Sequence, residues 1–491
     1  MKALKQEEPK IPHKDSKWLS KKSCPRRSDK KDSVNCLSQD SVGLKKKLNK
    51  YTCSDIPQLC EEITEKYSNL LGPLPLKLPP FHEVSHKIPL IDESKQLKHR
   101  LLKCPEAFHS ELTWKIERYT TTGWWVPAAA KQATPILCIP KKNGTLRTVF
   151  NLWQQNENTW KDVTPFPDQD AIHHDVAWAK FRSKVDMTEV YEQTCIRTED
   201  VNKTTFSTIF GTFQSQVMQM GDCNAPSTFQ WLMTTIFRDF LRRFIHVYLD
   251  DIFIYSQSIW EHIEHIMKVR QQLRESQFYL SKSKLDLFSD KTNCLGHVID
   301  NNGIHAKLDK IWWIRELRIP QNYNEVQKFL GLVQYLVLYI PDITAYMTPL
   351  SGSAQNNWTF QWTLLLDKCF QSIKVMAMQL HVLKPVDSDR NEPVWVITDS
   401  SQIGIGVMYG QGESWDTCWP AGFLSKKFMS TQHNYHMHEH ETLAVLDKLL
   451  GRKFTVVTDH KGFEYFKTQP NLLLRQTGGN IFPASITIPS M

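Results

Sequence analysis

Two adjacent carboxylates, Asp250 and Asp251, lie between short apolar, β-rich runs at 244–249 and 252–256. That pattern reads as a hairpin with both acids at its tip. Asp is ordinary turn chemistry, so a solvated turn is the plain reading of the pair. Yet two neighbouring acids held by rigid apolar strands repel each other, and a divalent cation relieves that repulsion. A third acid, Asp186, ends a strand-like run and is followed five residues later by Tyr191. A lone Asp at a strand end usually caps or turns the chain. Carboxylates so far apart in sequence can share cations only if the fold brings them together, which is how a two-metal site is built.

A second feature suited to charged substrates is the run 135–140, turned back through 141–144 into 145–150. A hairpin with a basic tip can approach a triphosphate, Arg through its bidentate fork and Lys as a point charge. Further on, a buried strand over 394–398 ends at Asp399, and 404–409 reads as its hairpin partner. A candidate helix over 439–450 carries Glu441, and a strand over 453–458 runs into Asp459. Strand-end Asp, helix Glu and strand-end Asp put three acids on separate elements, as a hydrolytic metal pair requires. Between these sets, Phe229, Leu232, Met233, Ile236, Phe237, Phe240, Leu241 and Phe244 recur at helical spacing and predict one long amphipathic helix. His82, Glu83 and His86 read as a surface loop.

Tyr248-Leu249-Asp250-Asp251 resembles the Tyr-x-Asp-Asp box of reverse transcriptases, and with Val247 before it and 252–256 after it is most similar to gypsy-type LTR retrotransposons. Residues 223–230, Cys-Asn-Ala-Pro-Ser-Thr-Phe-Gln, resemble that family's Cys-Asn-Ala-Pro-x-x-Phe-Gln box. The resemblance covers roughly 75–475 and implies an α/β (α+β) architecture. Polymerase palm and fingers with thumb and connection would precede a truncated RNase H-like domain. It implies that Asp186, Asp250 and Asp251 are catalytic and bind Mg²⁺ or Mn²⁺. Arg147, with Lys142 or Lys141, would contact the nucleotide, as would Met220 and Gly221. Tyr191 would exclude a 2′-hydroxyl by clash, a discrimination by repulsion. Leu295, Gly296 and His297 would grip the primer, and 329–335 would begin the connection region. Asp399, Glu441 and Asp459 fall at RNase H carboxylate positions. The implied partners are an RNA template, a DNA primer, deoxynucleoside triphosphates and an RNA–DNA hybrid.

The chain departs from that pattern in four places. Asn151-Leu152-Trp153 stands where relatives commonly have Asp-x-Arg, which puts fingers stability or template contact in doubt. Asp222 replaces a more usual apolar residue. The helix after Glu441 is about two turns short of the family's. The tail 477–491 supplies no Asp for a fourth carboxylate, so RNase H activity is doubtful. We read 476–491 as a truncation, a splice difference or a faulty gene model.

At 491 residues the chain has room for two or three domains. Its 11 Cys are odd in number and form no Cys-x-x-Cys pair, which suits a reducing compartment. With no apolar leader or membrane span in the sequence, we expect no membrane partner and an intracellular location, in cytoplasm or nucleus. The net charge of +8 misleads, because residues 1–50 hold 15 basic and 6 acidic residues. Phosphate contacts in the folded body must therefore come from local clusters. The expected organisation is a basic tail (1–55), a lead-in (56–119), fingers, palm and thumb start (120–300), connection (301–358), RNase H-like domain (359–475) and divergent tail (476–491). The chain would be a polyprotein fragment or a relic. A catalytically inactive nucleic-acid-binding relic is the alternative function, and an RNase H-only hydrolase the weakest one.

Overall fold

A computed structural model of the chain describes residues 52–96, 104–130, 132–140, 144–353, 360–387, 390–400, 404–427, 453–457 and 484–487. All belong to one unit spanning Thr52–Met491. Lys142, Glu441 and Asp459 lie outside the described residues, as does the side chain of Asp399.

Helix α1 (Ile56–Tyr67) opens with Pro at its first turn, where a missing N–H costs nothing. Helix α2 (His109–Thr121) buries Leu112, Ile116 and Tyr119 at helical spacing. That stripe meets a mixed sheet made of β1 (Trp125–Pro127), β2 (Thr134–Pro140), β3 (Leu146–Phe150), β5 (Phe206–Thr208) and β6 (Gly211–Ser215). Its spatial order is β1-β6-β5-β2-β3, and only the β2–β5 pair is parallel. Trp124, Trp125, Phe150, Phe206 and Phe213 fill the space between helix and sheet.

The central layer is a three-stranded antiparallel sheet, β4 (Phe181–Asp186), β8 (Asp251–Ser256) and β7 (Ile245–Tyr248), in that order. Helix α3 (Trp153–Glu157) precedes it, and α4 (Gln169–Trp178) packs Ile172 and Val176 against Phe253. Helix α5 (Ala225–Ile236) supports the sheet, and α6 (Ile259–Glu275) buries Ile263, Ile266, Val269 and Leu273. The long helix predicted through Phe244 stops at Ile236 instead. Arg242 takes a left-handed φ of 61° and its N–H bonds Ile245 O, so the chain reverses there to enter β7.

A small sheet follows, β11-β10-β9, from β9 (Thr292–Cys294), β10 (His297–Asp300) and β11 (Gly303–Ala306). Helices α7 (Leu308–Glu316), α8 (Tyr323–Gln334), α9 (Ile343–Ser353) and α10 (Leu364–Met376) then share one core around Ile314, Phe329, Ile343 and Phe370. The apolar face of α10, Leu366, Cys369, Phe370 and Ile373, belongs to this helical cluster.

The last sheet has the order β14-β13-β12-β15-β16, with β12 (Val394–Ser400), β13 (Gly404–Gln411), β14 (Trp419–Lys427), β15 (Phe454–Val457) and β16 (Ala484–Thr487). Strands β12 to β14 are antiparallel, and β15 and β16 add in parallel. The tail read as divergent thus contributes a strand. No helix of the described residues is long and apolar enough to cross a membrane.

Candidate active site

The central sheet brings its acids together by register. Asp186 closes β4 directly opposite Asp251, the first residue of β8. Directly opposed residues on antiparallel strands project to one face with Cβ atoms ~5 Å apart, and like charges there destabilise the pair. Asp251 is therefore a strand residue, not the tip; the two-residue turn is Leu249-Asp250. Leu249 sits at φ 53°, unusual for a non-glycine residue and the kind of backbone outlier that gathers at functional turns. The turn is clamped from α5: Gln230 Nε2 donates to Val247 O (3.1 Å), and Leu249 N–H donates to Gln230 Oε1 (2.9 Å). Met187 N–H donates to Asp250 O at 3.2 Å, tying the tip to the end of β4.

Two ammonium groups answer the carboxylates. Lys184 precedes Asp186 by two residues and so shares its face of the strand; its Nζ donates to Asp251 Oδ2 at 2.8 Å. Lys284 Nζ donates to both oxygens of the buried Asp186, at 2.9 and 3.0 Å. Burial raises the Asp251 carboxyl above its usual range and Asp186 adds to the rise, against Lys184. Burial opposes the charge on Lys284, but Asp186, then Asp250 and Asp251, hold its ammonium above the ordinary value. All three acids therefore act on one cation. Sequence reasoning missed both lysines, although the alternation of Lys184 with Asp186 along one strand was readable.

Among the described residues, no group of three or more His, Cys, Asp or Glu forms a ready metal cage. The donor set still fits a hard divalent ion: carboxylate oxygens only, crowded by register and already drawing two ammonium groups.

Around the acids lies a platform. Tyr191 is partly buried; burial first, then the charge of Asp250, raises its hydroxyl pKa, so the ring stands near the turn. Phe150 N–H donates to Met220 O (3.1 Å), and an Arg147 guanidinium N–H points at the Met220 sulfur at 3.4 Å. Gly221 has φ 122°, and a Cβ there would meet Phe150 O at 2.5 Å, so no larger residue fits. Asn156 Nδ2 donates to Gly221 O (2.8 Å) while its Oδ1 accepts from Cys223 N–H (3.0 Å). Asp222, the unusual acid, accepts from Asn224 N–H at 2.8 Å. Its other oxygen lies 3.3 Å from Nε2 of the buried His86, a polar contact without hydrogen-bond alignment. His86, read from sequence as loop, is thus an interior partner.

Leu295 (φ 45°) and Gly296 (φ 93°) form the two-residue turn between β9 and β10, both left-handed as the tightest hairpins require. Gly296 O accepts from Tyr335 Oη at 2.8 Å, and His297 Nδ1 bonds Tyr339 Oη. Burial, then His173 and Lys310, pushes His297 down to about 3, so the ring is neutral. In the last sheet, Asp399 pairs with Gly406 within β12–β13; the RNase H-like triad cannot be followed further within the described residues.

Residues 139–299 match the family model for reverse transcriptase (RNA-dependent DNA polymerase). Residues 389–478 match that for the RNase H-like domain found in reverse transcriptase. The transposon Tf2-3 and Tf2-7 polyproteins of Schizosaccharomyces pombe are 26% identical over 395 residues, 78% of this chain and 30% of each polyprotein. The chain thus spans under a third of the length of these relatives. A foamy viral protease-reverse transcriptase solved in complex with dsDNA aligns with TM-score 0.76 and 18% identity, covering 95% of this chain and 99% of that one. A foamy viral protease-reverse transcriptase in complex with an RNA/DNA hybrid aligns with TM-score 0.71 and 17% identity, over 95% and 64%. The chain therefore carries a reverse transcriptase domain and an RNase H-like domain and is homologous to transposon polyproteins.

Proposed function

We propose that this chain, with its reverse transcriptase and RNase H-like domains, is the RNA-directed DNA polymerase of a gypsy-type retrotransposon. The reading predicts in-line attack of a primer 3′-hydroxyl on the α-phosphate of a deoxynucleoside triphosphate, copying an RNA template. The observation that carries it is the opposition of Asp186 and Asp251 beside the clamped turn of Asp250. Such crowding of acids costs stability and persists where cations are bound. Asp186 and Asp250 would hold divalent ions, Mg²⁺ or Mn²⁺, which when bound lower the hydroxyl pKa and neutralise the leaving pyrophosphate. Asp251 is committed to Lys184, so it assists by shaping the charge of the site. Arg147, with Lys142, would hold the triphosphate, Tyr191 would bar a 2′-hydroxyl, and Gly221 would keep the platform close to Phe150.

The RNase H-like part is proposed as impaired, because the stretch between Glu441 and Lys453 leaves its helix about two turns short of what the resemblance implies. Primer extension on an RNA template with Mg²⁺ tests the main reading. Templated DNA product is the expected result. Binding of template and primer without product is what a non-catalytic relic would give, and it would overturn the proposal.

A further inference from the structure

A cavity of about 450 Å³ lies where α4, strands β10 and β11, the helical cluster after them and the last sheet come together. Sites for small organic ligands usually have roughly 300–1,000 Å³. Part of the lining is apolar or aromatic, from Leu338, Tyr339, Leu383, Val386 and Tyr409. The α4 side is acidic. Asp168 and Asp170 are exposed at the N-terminal end of that helix, and Asp175 lies further along it. Asp175 is engaged by His246 at 2.8 Å and by His174 at 3.1 Å, so Asp168 and Asp170 set the acidic edge. Among the described residues that line the cavity there is no Lys or Arg.

His173 lines the same cavity and is only 7% exposed, yet its Nε2 has no hydrogen-bond partner. Burial lowers its pKa, against Asp170, the Cys294 carbonyl and Asp168, so the ring is neutral. A neutral imidazole that donates one N–H to a carbonyl offers its other nitrogen as an acceptor. A buried acceptor without a donor costs free energy, so one that persists asks for a donor from outside the chain.

We propose that this cavity binds a small organic cation, a protonated amine on an apolar body, which donates to His173 Nε2 and faces Asp168 and Asp170. An anion would meet carboxylates. A bare metal ion needs more ligands, and among the described residues no group of three or more His, Cys, Asp or Glu could hold one. A protonated amine answers each feature at once. It donates N–H, its charge is drawn to the two carboxylates, and its carbon body replaces water on the apolar lining. An aliphatic polyamine and an arylalkylamine share this chemistry. Apart from His297, none of the lining residues belongs to a site described above, so the proposal goes beyond the polymerase reading and does not depend on it.

Calorimetric titration of the full chain at about 0.15 M salt tests it with spermidine, phenethylamine and the neutral phenethyl alcohol. One equivalent of at least one amine should bind, and the alcohol at least about tenfold more weakly than that amine. Binding of spermidine alone assigns the site to a polyamine, and of phenethylamine alone to an arylalkylamine. Asp168→Asn with Asp170→Asn keeps a capping side chain at 168 and should weaken amine binding by at least about fivefold. His173→Phe keeps a ring, removes the acceptor and should do the same. Asp239→Asn, at an exposed acid elsewhere, should change nothing. No binding of either amine, equal binding of the alcohol, or undiminished binding by the double Asn variant would each overturn the site. Because Asp168 and Asp170 are exposed, that variant keeps the fold and decides the matter even if the buried His173 replacement unfolds.

Discussion

Lys284 presents one ammonium group to both carboxylate oxygens of Asp186, at 2.9 and 3.0 Å. Lys184 is set in the same way on Asp251 at 2.8 Å. Two acids, Asp186 and Asp251, and two ammonium groups therefore meet at the end of β4 and β8, with Asp250 on the adjoining turn. That count explains how the central sheet tolerates carboxylates in opposition before any ligand arrives. It also divides the two lysines by setting: Lys284 is 60% exposed, whereas Lys184 is packed along the strand over the ring of Phe253.

Lys184→Met keeps the aliphatic stem and removes the charge, leaving Asp251 without its partner. We expect a loss of about 1–3 kcal/mol in urea unfolding. Asp251→Asn in the same chain should restore much of it. Strictly additive effects of the two substitutions would contradict the pairing.

Gln230→Ala strips the clamp from the Leu249-Asp250 turn and leaves Val247 O, which is buried, and Leu249 N–H, which is half-buried, without this partner. The expected cost is about 1–3 kcal/mol of stability, with kcat falling more than KM for the nucleotide changes. A variant with normal kcat would show that the turn holds its geometry without the amide.

Much of this was legible in the chain and some was not, for reasons that can be stated. The carboxylate hairpin was readable because two short β-rich apolar runs are interrupted by its adjacent acids. The position of Asp251 was not, since turn length is set by backbone φ at Leu249, which no residue type there announces. Gln230 lay within a quoted box, yet its role depends on a contact nineteen residues away. The helix stripe overran to Phe244 because Phe240 and Phe244 still pack, Phe244 stacking on His265, though no longer as helix. Pairing of β16 with β15 was invisible, because a short Ile/Thr run has no partner preference of its own.

Glu192 gives a pH dependence with a definite sign. Burial, against Lys115 and with Glu189, pushes its carboxyl up to about 7. A raised folded value means stability fully present below the unfolded value near pH ~4.3 and lost as pH rises toward ~7. We expect the unaltered chain to lose on the order of 1–3 kcal/mol across that window. Glu192→Gln should show a flatter profile in denaturation at stepped pH. An unchanged slope would contradict the assignment of this group.

Tyr191→Ala should relax sugar selection. Incorporation of ribonucleotides relative to deoxynucleotides is expected to rise at least about tenfold, the scale of one lost steric clash. Single-nucleotide extension with matched dNTP and rNTP reads it directly. An unchanged ratio would place the discriminating group elsewhere.

The most direct measurement compares RNA-templated primer extension by the unaltered chain and by Asp250→Asn, with template-primer affinity measured on the same samples. Loss of at least about 100-fold in extension at nearly unchanged affinity is the predicted result, because the amide keeps the shape of the turn but gives up the charge. Full extension by Asp250→Asn would contradict the carboxylate site on which the account rests.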